Sequence, residues 1–122
     1  MGYPQEESIV PHGMAVVLNA PAVFRFTAPT NLERHMHAAR VMGIRSHDSD
    51  LEYAGYFLGE AIVRLIRKIN IPNGLGQIGF NLEDIENLVN ATIPQRRLLD
   101  LCPREVTAKE LRQLFLESMT LW

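Results

Sequence analysis

Hydrophobic residues along this 122-residue chain recur at helical spacing, and strict alternation never lasts long enough to indicate paired strands. The strongest pattern lies between Asp48 and Asn70. Acidic residues near its start and basic residues near its end complement the helix dipole. Glu60 and Arg64, one turn apart, predict an ion pair. One helical face carries the apolar residues of this segment: Leu51, Ala54, Leu58, Ala61, Ile62, Leu65 and Ile69.

Two earlier helices are predicted by their boundary signals. An apolar segment over residues 13–27 predicts a first helix that is kinked at Pro21, because proline lacks a backbone N–H. Thr30 and Glu33 match a capping box, in which each side chain bonds to the other residue's backbone N–H. This box predicts the start of a second helix, which should end near Gly43, a residue suited to a left-handed stop.

The C-terminal third predicts the remaining helices. Asn81 and Asp84 match the start of a fourth helix, which should end before Pro94. A short helix is predicted over residues 95–101. Hydrophobic staples are predicted at both capped starts, between Phe80 and Ile85 and between Val106 and Leu111.

A second capping box, Thr107 with Glu110, opens the last helix. Its apolar face is predicted to consist of Leu111, Leu114, Phe115 and Met119. We therefore expect one all-α domain over residues 1–122, built from five or six helices.

Composition and charge narrow the function classes. The chain is 47% hydrophobic and 21% charged, which is typical of a globular domain. Its net charge of −2 and the absence of a basic cluster count against nucleic-acid binding, including a helix-turn-helix mode. Asn19 and Arg25 interrupt the best apolar run, so no membrane partner is expected. The single cysteine, Cys102, excludes an intramolecular disulfide and favours a reducing compartment.

The segment Gly74–Gly79 matches the G-x-G-x-x-G pattern of dinucleotide-binding proteins. That mechanism needs a strand before the glycines and a helix that begins within them. Here a long predicted helix precedes the pattern, and the next helix is capped only at Asn81. We interpret the segment as a glycine-rich loop between helices, with no cofactor-binding role.

Most polar residues that could be considered for catalysis or metal binding have a structural explanation instead. His35 and His37 lie two residues apart on a predicted helix, so they point in different directions and favour a solvated surface. His47 is predicted to be exposed or to cap a helix, and Cys102 to be a buried or idle thiol. Capping and dipole effects explain the paired acids, which are Glu6 with Glu7, Asp48 with Asp50, and Glu83 and Asp84 with Glu86. No catalytic residue is assigned.

His12 differs because it lies between Pro11 and Gly13 at the entrance of an apolar helix. It is the only position that looks like a metal ligand, since neutral imidazole binds iron and zinc. Spacing alone favours a structural histidine at a helix start, because one ligand does not make a site.

The tract from Pro11 to Phe24 resembles the C-terminal half of the iron-containing alcohol dehydrogenases. The resemblance is closest to the branch of hydroxyacid–oxoacid transhydrogenases, and it runs from about Tyr3 to Trp122. Further blocks carry it: Phe26-Thr27, Glu33-Arg34-His35, Ala38-Ala39, Ile71-Pro72-Asn73-Gly74-Leu75, Ile78-Gly79-Phe80, Asp84-Ile85, Leu88-Val89, Pro94-Gln95-Arg96, Leu114-Phe115 and Ser118-Met119.

The resemblance implies a specific role for His12. Members of the family pair an N-terminal dinucleotide-binding domain with a C-terminal all-helical domain and hold a metal between them. An aspartate and three histidines bind this metal, and His12 matches the last histidine. The resemblance also implies a nicotinamide cofactor, and hydride transfer from a hydroxy acid such as 4-hydroxybutyrate to an oxo acid such as 2-oxoglutarate. The metal, iron or zinc, would polarise the substrate oxygen.

The counterparts of the other ligands would precede residue 1. We therefore expect a C-terminal fragment without the dinucleotide-binding domain, arising from a truncated gene product, a misassigned start or a remnant. Neither the metal nor the nicotinamide is expected to bind tightly to this fragment alone, and we expect no dehydrogenase activity from it. We expect it in the cytoplasm, or in the mitochondrial matrix of a eukaryote.

The alternative is a non-enzymatic helical module. It would dock onto a separately encoded N-terminal half, or form a homodimer, through apolar surface left exposed. Candidate residues for this surface are Val16, Val17, Val23 and Phe24.

Overall fold

A computed structural model describes residues 12–122 of the chain. These residues form helices and connecting turns without any strand, which confirms the all-α prediction. The α-helices are α1 (His12–Thr27), α2 (Leu32–Val41), α3 (Ala54–Lys68), α4 (Ile85–Thr92), α5 (Arg96–Leu99) and α6 (Ala108–Glu117). Short 3-10 turns occupy Ala28–Thr30, Asp48–Tyr53, Leu75–Ile78 and Leu82–Asp84. The predictions for Pro11, Glu6 and Glu7 lie outside the described residues.

The start of α2 differs from its prediction by one residue. Asn31 is the N-cap, and its side-chain oxygen accepts a hydrogen bond from the backbone N–H of Arg34 at 3.1 Å. Thr30 instead lies in the preceding 3-10 turn, where its hydroxyl donates to the Thr27 carbonyl at 2.7 Å. The predicted capping box of Thr30 was therefore wrong. The stop near Gly43 is confirmed, since α2 ends at Val41 and Gly43 has a φ of +98°.

The segment predicted as one helix from Asp48 to Asn70 is divided. A 3-10 turn over Asp48–Tyr53 leads into α3. Leu65 and Ile69 are exposed, contrary to prediction, whereas Ile66 is fully buried. The reason is that α2 ends at Val41, so Leu65 borders an open groove of about 330 Å³ instead of a neighbouring helix.

The predicted pair of Glu60 with Arg64 does not form. Within residues 12–122 the ion pairs are Arg40–Asp48, Arg96–Asp100 and Arg112–Glu86. Exposed ion pairs one turn apart contribute little free energy, so nothing forces these two side chains together.

The capping boxes at Asn81 and Thr107 are both present, but Asn81 caps the 3-10 turn Leu82–Asp84 that leads into α4, whereas Thr107 caps α6 itself. The backbone N–H of Asn81 donates to the Asp84 carboxylate at 2.8 Å, and the Asn81 side chain accepts from the Glu83 N–H at 2.9 Å. Thr107 donates its N–H to the Glu110 carboxylate at 2.9 Å. Val106 and Leu111 are buried in the same apolar cluster, as expected for a staple, whereas Phe80 and Ile85 belong to different clusters.

Three apolar clusters hold the helices together. The first joins α2 and α3 around Met36 and Ile66, and the second joins α4 and α6 around Val89. The third lies beneath the first half of α1 and contains Leu18, Leu75 and Phe80. Because α1 also packs against α3, it is the element that bridges these clusters.

Candidate metal-ligand helix and its surroundings

His12 is the first residue of α1, and its side chain is exposed. A Cβ added to the neighbouring Gly13 would meet no atom within 4 Å among the described residues. Among residues 12–122, nothing packs closely against Gly13, and the imidazole of His12 is exposed.

The exposed face of α1 is apolar. Val16 lies one turn from His12 and is 55% exposed, while Phe24 is 37% exposed. Val17 and Val23 are only partly exposed, and Val17 packs against the cluster of α2 and α3. The predicted apolar patch thus consists mainly of Val16 and Phe24, and it shares the helix with His12.

The opposite face anchors α1 in the fold. Leu18 and Ala22 are completely buried. At the C-terminal end of the helix, the Arg104 guanidinium donates to the Phe26 carbonyl at 2.6 Å and lies 4.1 Å from the centre of the Phe26 ring. A cation that bonds to a terminal carbonyl satisfies an acceptor for which the helix itself has no donor.

His35 is not the solvated residue that its spacing predicted. Its Nε2 lies 2.8 Å from the Thr27 hydroxyl, and its Nδ1 lies 2.8 Å from the Asn31 carbonyl oxygen. The ring also packs edge to face against Phe24, with 6.1 Å between centroids. Both nitrogens are engaged, so His35 ties α1 to α2. His37 is exposed, as predicted.

His47 and Cys102 have the structural settings that the sequence predicted. His47 is exposed at the start of the 3-10 turn over Asp48–Tyr53, and its backbone N–H donates to the Asp50 carboxylate at 2.8 Å. Cys102 is a free, half-buried thiol that packs against the cluster of α4 and α6.

The glycine pattern of Gly74–Gly79 lies in the connection between α3 and α4. It holds a 3-10 turn over Leu75–Ile78 and follows a helix, so it lacks the strand that nucleotide binding requires. The interpretation as an interhelical loop is confirmed. Asn73, directly before it, bonds to the last residues of the chain, a role that no local pattern predicted.

The side chains of residues 12–122 that could bind a metal do not come together in a metal site. Within residues 12–122, no group of three or more His, Cys, Asp or Glu side chains is arranged to hold a metal ion. Protein metal sites normally use at least three such ligands. The exposed histidines within residues 12–122, which are His12, His37 and His47, therefore belong to no cluster of ligands that could hold iron or zinc. The part of the chain that the structure describes also contains no helix both long and apolar enough to cross a bilayer.

Residues 12–122 thus form an all-helical protein in which an exposed histidine, His12, begins the first helix. The model of the Fe-containing alcohol dehydrogenase family, C-terminal, matches residues 7–119. The chain belongs to this family, which confirms the resemblance seen in its sequence.

Curated relatives agree with the family match over nearly the whole chain. The probable mitochondrial hydroxyacid-oxoacid transhydrogenase of Dictyostelium discoideum is 42% identical over 120 residues, which cover 98% of this chain and 22% of that protein. The mitochondrial hydroxyacid-oxoacid transhydrogenases of Xenopus tropicalis and Homo sapiens are 39% and 35% identical over 98% of this chain and 26% of theirs. The chain therefore spans 22% to 26% of the length of these relatives.

Proposed function

We propose that this chain is the helical, ligand-bearing domain of an iron-dependent oxidoreductase that oxidises a hydroxy acid and reduces an oxo acid. The observation that carries the proposal is the family match over residues 7–119, which includes His12 and all six helices. The exposure of His12 at the start of α1, within residues 12–122, supports its role as one metal ligand.

His12 holds the metal in this proposal and transfers no proton. A neutral imidazole suits iron and zinc, and one imidazole alone binds either metal weakly. The remaining ligands and the nicotinamide site are then supplied by polypeptide other than residues 12–122, either in the same chain or in a partner. This division of the site agrees with the fraction of the relatives' length that the chain spans.

Residues 1–122 are accordingly expected to be inactive by themselves. The purified chain with stoichiometric iron should not oxidise 4-hydroxybutyrate with NAD, and it should not convert 2-oxoglutarate to 2-hydroxyglutarate. Metal analysis after gel filtration should find no retained iron. Measurable turnover by residues 1–122 would contradict this part of the proposal.

A chimeric enzyme tests the ligand role directly. The matching 120 residues of the Dictyostelium relative are replaced by the corresponding residues of this chain, and iron content and transhydrogenation are measured. The chimera should retain iron and activity. His12→Ala should remove both, while His37→Ala, which changes another exposed histidine, should remove neither. A folded His12→Ala chimera that keeps its iron would reject His12 as a ligand.

The substrate class and the compartment follow the relatives. Their names specify a hydroxy acid donor, an oxo acid acceptor and a mitochondrial location. For this chain we propose 4-hydroxybutyrate with 2-oxoglutarate, and the mitochondrial matrix rather than the cytoplasm. Substrate competition in the chimera and fractionation of the source cells test these two assignments separately.

A second candidate function is docking without catalysis. Val16 and Phe24 leave apolar surface exposed on α1, which favours coverage by a separately encoded N-terminal half or by a second copy. Light scattering of the purified chain distinguishes a dimer from a monomer, and co-purification from source cells identifies a partner. Val16→Ser should weaken either assembly, whereas Leu101→Ser, at a highly exposed residue of the loop after α5, should not.

A further inference from the structure

We propose that Asn73 is a positioning residue, which holds the first half of α1 in place by binding the last two residues of the chain. His12 begins this half of the helix, so Asn73 and the C-terminal tail together position the imidazole. The importance of that position for catalysis rests on the proposed function, but the mechanical link does not.

The link begins with the Asn73 side chain. Its oxygen accepts hydrogen bonds from the backbone N–H of Leu121 at 2.7 Å and from that of Trp122 at 2.9 Å. Its amide nitrogen donates to the main-chain oxygen of Trp122. The Arg67 guanidinium lies 5.2 Å from the centre of the Trp122 ring, a cation–π distance. One side chain thus fixes a tail that lies 48 to 49 positions away in sequence.

Backbone contacts continue the link along the glycine loop. Leu75 donates its N–H to the Ser118 carbonyl at 2.9 Å, and Gly76 donates to the Met119 carbonyl at 3.0 Å. Gly74 has a φ of +82°, and a Cβ at this position would overlap the Met119 carbonyl. The loop therefore needs glycine there in order to approach the tail so closely.

The loop and the tail together form the surface on which the first half of α1 rests. Leu75 is buried against Leu18 of α1, and Met14 and Leu121 pack against the same cluster. Leu121 also packs against the cluster of α2 and α3, which Val17 joins from α1. Loss of the tail would therefore remove apolar contacts from the first half of α1.

The second half of α1 has separate attachments. Gly55 and Gly59 of α3 pack closely against its backbone and Arg25, and His35 bonds to Thr27 at its end. Between the halves lies Pro21, which has no N–H to donate to the carbonyl four residues earlier. The two halves can therefore differ in local stability, because a missing helical bond weakens the cooperativity between them.

Hydrogen exchange of the chain without metal tests the proposal. In Asn73→Ala, the amides of residues 16–20 should exchange about tenfold faster or more, because three hydrogen bonds of modest net strength are lost. The Val16 amide is the informative probe, since its helical acceptor is the His12 carbonyl. The amides of residues 22–27 should change much less.

A chain that ends at Thr120 is the second variant. This truncation removes the partners of Asn73 instead of Asn73 itself. The amides of residues 16–20 should again exchange faster, and those of residues 22–27 should change much less. When this truncation is combined with Asn73→Ala, the amides of residues 16–20 should exchange no faster than with either change alone, because both changes remove the same contacts. Asn90→Ala, at an exposed asparagine of α4, is the matched control and should leave α1 unchanged.

The proposal would be overturned if amide exchange became equally faster in both halves of α1, or if it did not become faster at all. It would also be overturned if the effects of the two changes on exchange added up in the double variant. Global unfolding of both single variants would overturn it too, because the effect would not be confined to one half of the helix. The measurement involves neither metal nor substrate. Its outcome is therefore independent of whether His12→Ala removes iron from the chimera.

Discussion

Gly55 of α3 and Ala28, the first residue after α1, stand so close that a Cβ on Gly55 would lie 2.7 Å from the Ala28 Cβ. The same Cβ would lie 3.0 Å from the Arg25 Cα, which is backbone and cannot rotate away. Gly55→Ala should therefore push the helices apart and lower the free energy of unfolding by about 1–3 kcal/mol, as overpacking does. Urea denaturation measures this difference.

Gly13→Ala is the control for this substitution. Among residues 12–122, a Cβ on Gly13 would meet nothing within 4 Å, and alanine favours the helix more than glycine does. It should leave stability unchanged or slightly higher. If Gly55→Ala were as stable as Gly13→Ala, the packing of α1 on α3 would be looser than described.

His35 should matter for stability, and His37 should not. A carbonyl oxygen only accepts, so Nδ1 of His35 donates to Asn31, and Nε2 of the neutral ring accepts from the Thr27 hydroxyl. His35→Ala loses both bonds and the contact with Phe24, and should cost about 1–2 kcal/mol. His37→Ala should be near neutral. Thermal unfolding of both variants under one condition gives the comparison, and equal midpoints would contradict it.

The cap at Asn81 should contribute as helix caps generally do. Asn81→Ala removes the acceptor for the Glu83 N–H and should cost about 1 kcal/mol. Asn90→Ala, within α4 and exposed, should cost close to nothing. Denaturant midpoints of the two variants provide the measurement. If Asn81→Ala cost no more than Asn90→Ala, the Asn81 cap would not stabilise this helix start.

The pair of Glu86 and Arg112 should make stability depend on pH. Hydrogen bonding to Arg112 lowers the pKa of Glu86 below its usual value. A lowered folded-state pKa means that the unfolded chain takes up the proton more readily, so the stabilisation is present near neutral pH. It is lost as pH falls through the lowered pKa.

The comparison of Glu86→Gln with the unmodified chain isolates this effect. The variant should be less stable at neutral pH, and the difference should shrink in acid and in high salt. Glu105→Gln, at an exposed loop residue that forms no ion pair within residues 12–122, should show no such convergence. A difference for Glu86→Gln that does not vary with pH would argue against the pair.

Local signals explain which parts of the fold could be predicted. The boxes at Asn81 and Thr107 involve residues three positions apart, so the sequence contains both partners. At α2 the predicted cap, Thr30, is part of the 3-10 turn that follows α1, so the helix begins one residue later with Asn31 as its N-cap. Leu65 followed the apolar spacing correctly, but its exposure depends on where α2 ends, which spacing along α3 does not show.

Some features of the candidate site could likewise be predicted from the sequence, and others could not. The motif around His12 and its helix entrance were evident from sequence, and the family match confirms the resemblance. The ligand role of His12 stays a prediction. The bonds of Asn73 could not be predicted, because they join positions 48 to 49 residues apart and no periodicity relates them. His35 was misjudged, since one of its two partners, Thr27, comes from a different helix.

Trp122 is the only tryptophan of the chain, and it belongs to the tail rather than to an apolar cluster. Its emission should therefore report the release of the last residues, which also removes the ring from Arg67 of α3. An unfolding curve followed by fluorescence should precede one followed by circular dichroism wherever the tail detaches first. The chain thus contains an intrinsic optical probe of its own terminus, and a two-state fit to its fluorescence alone would understate the stability of the helices.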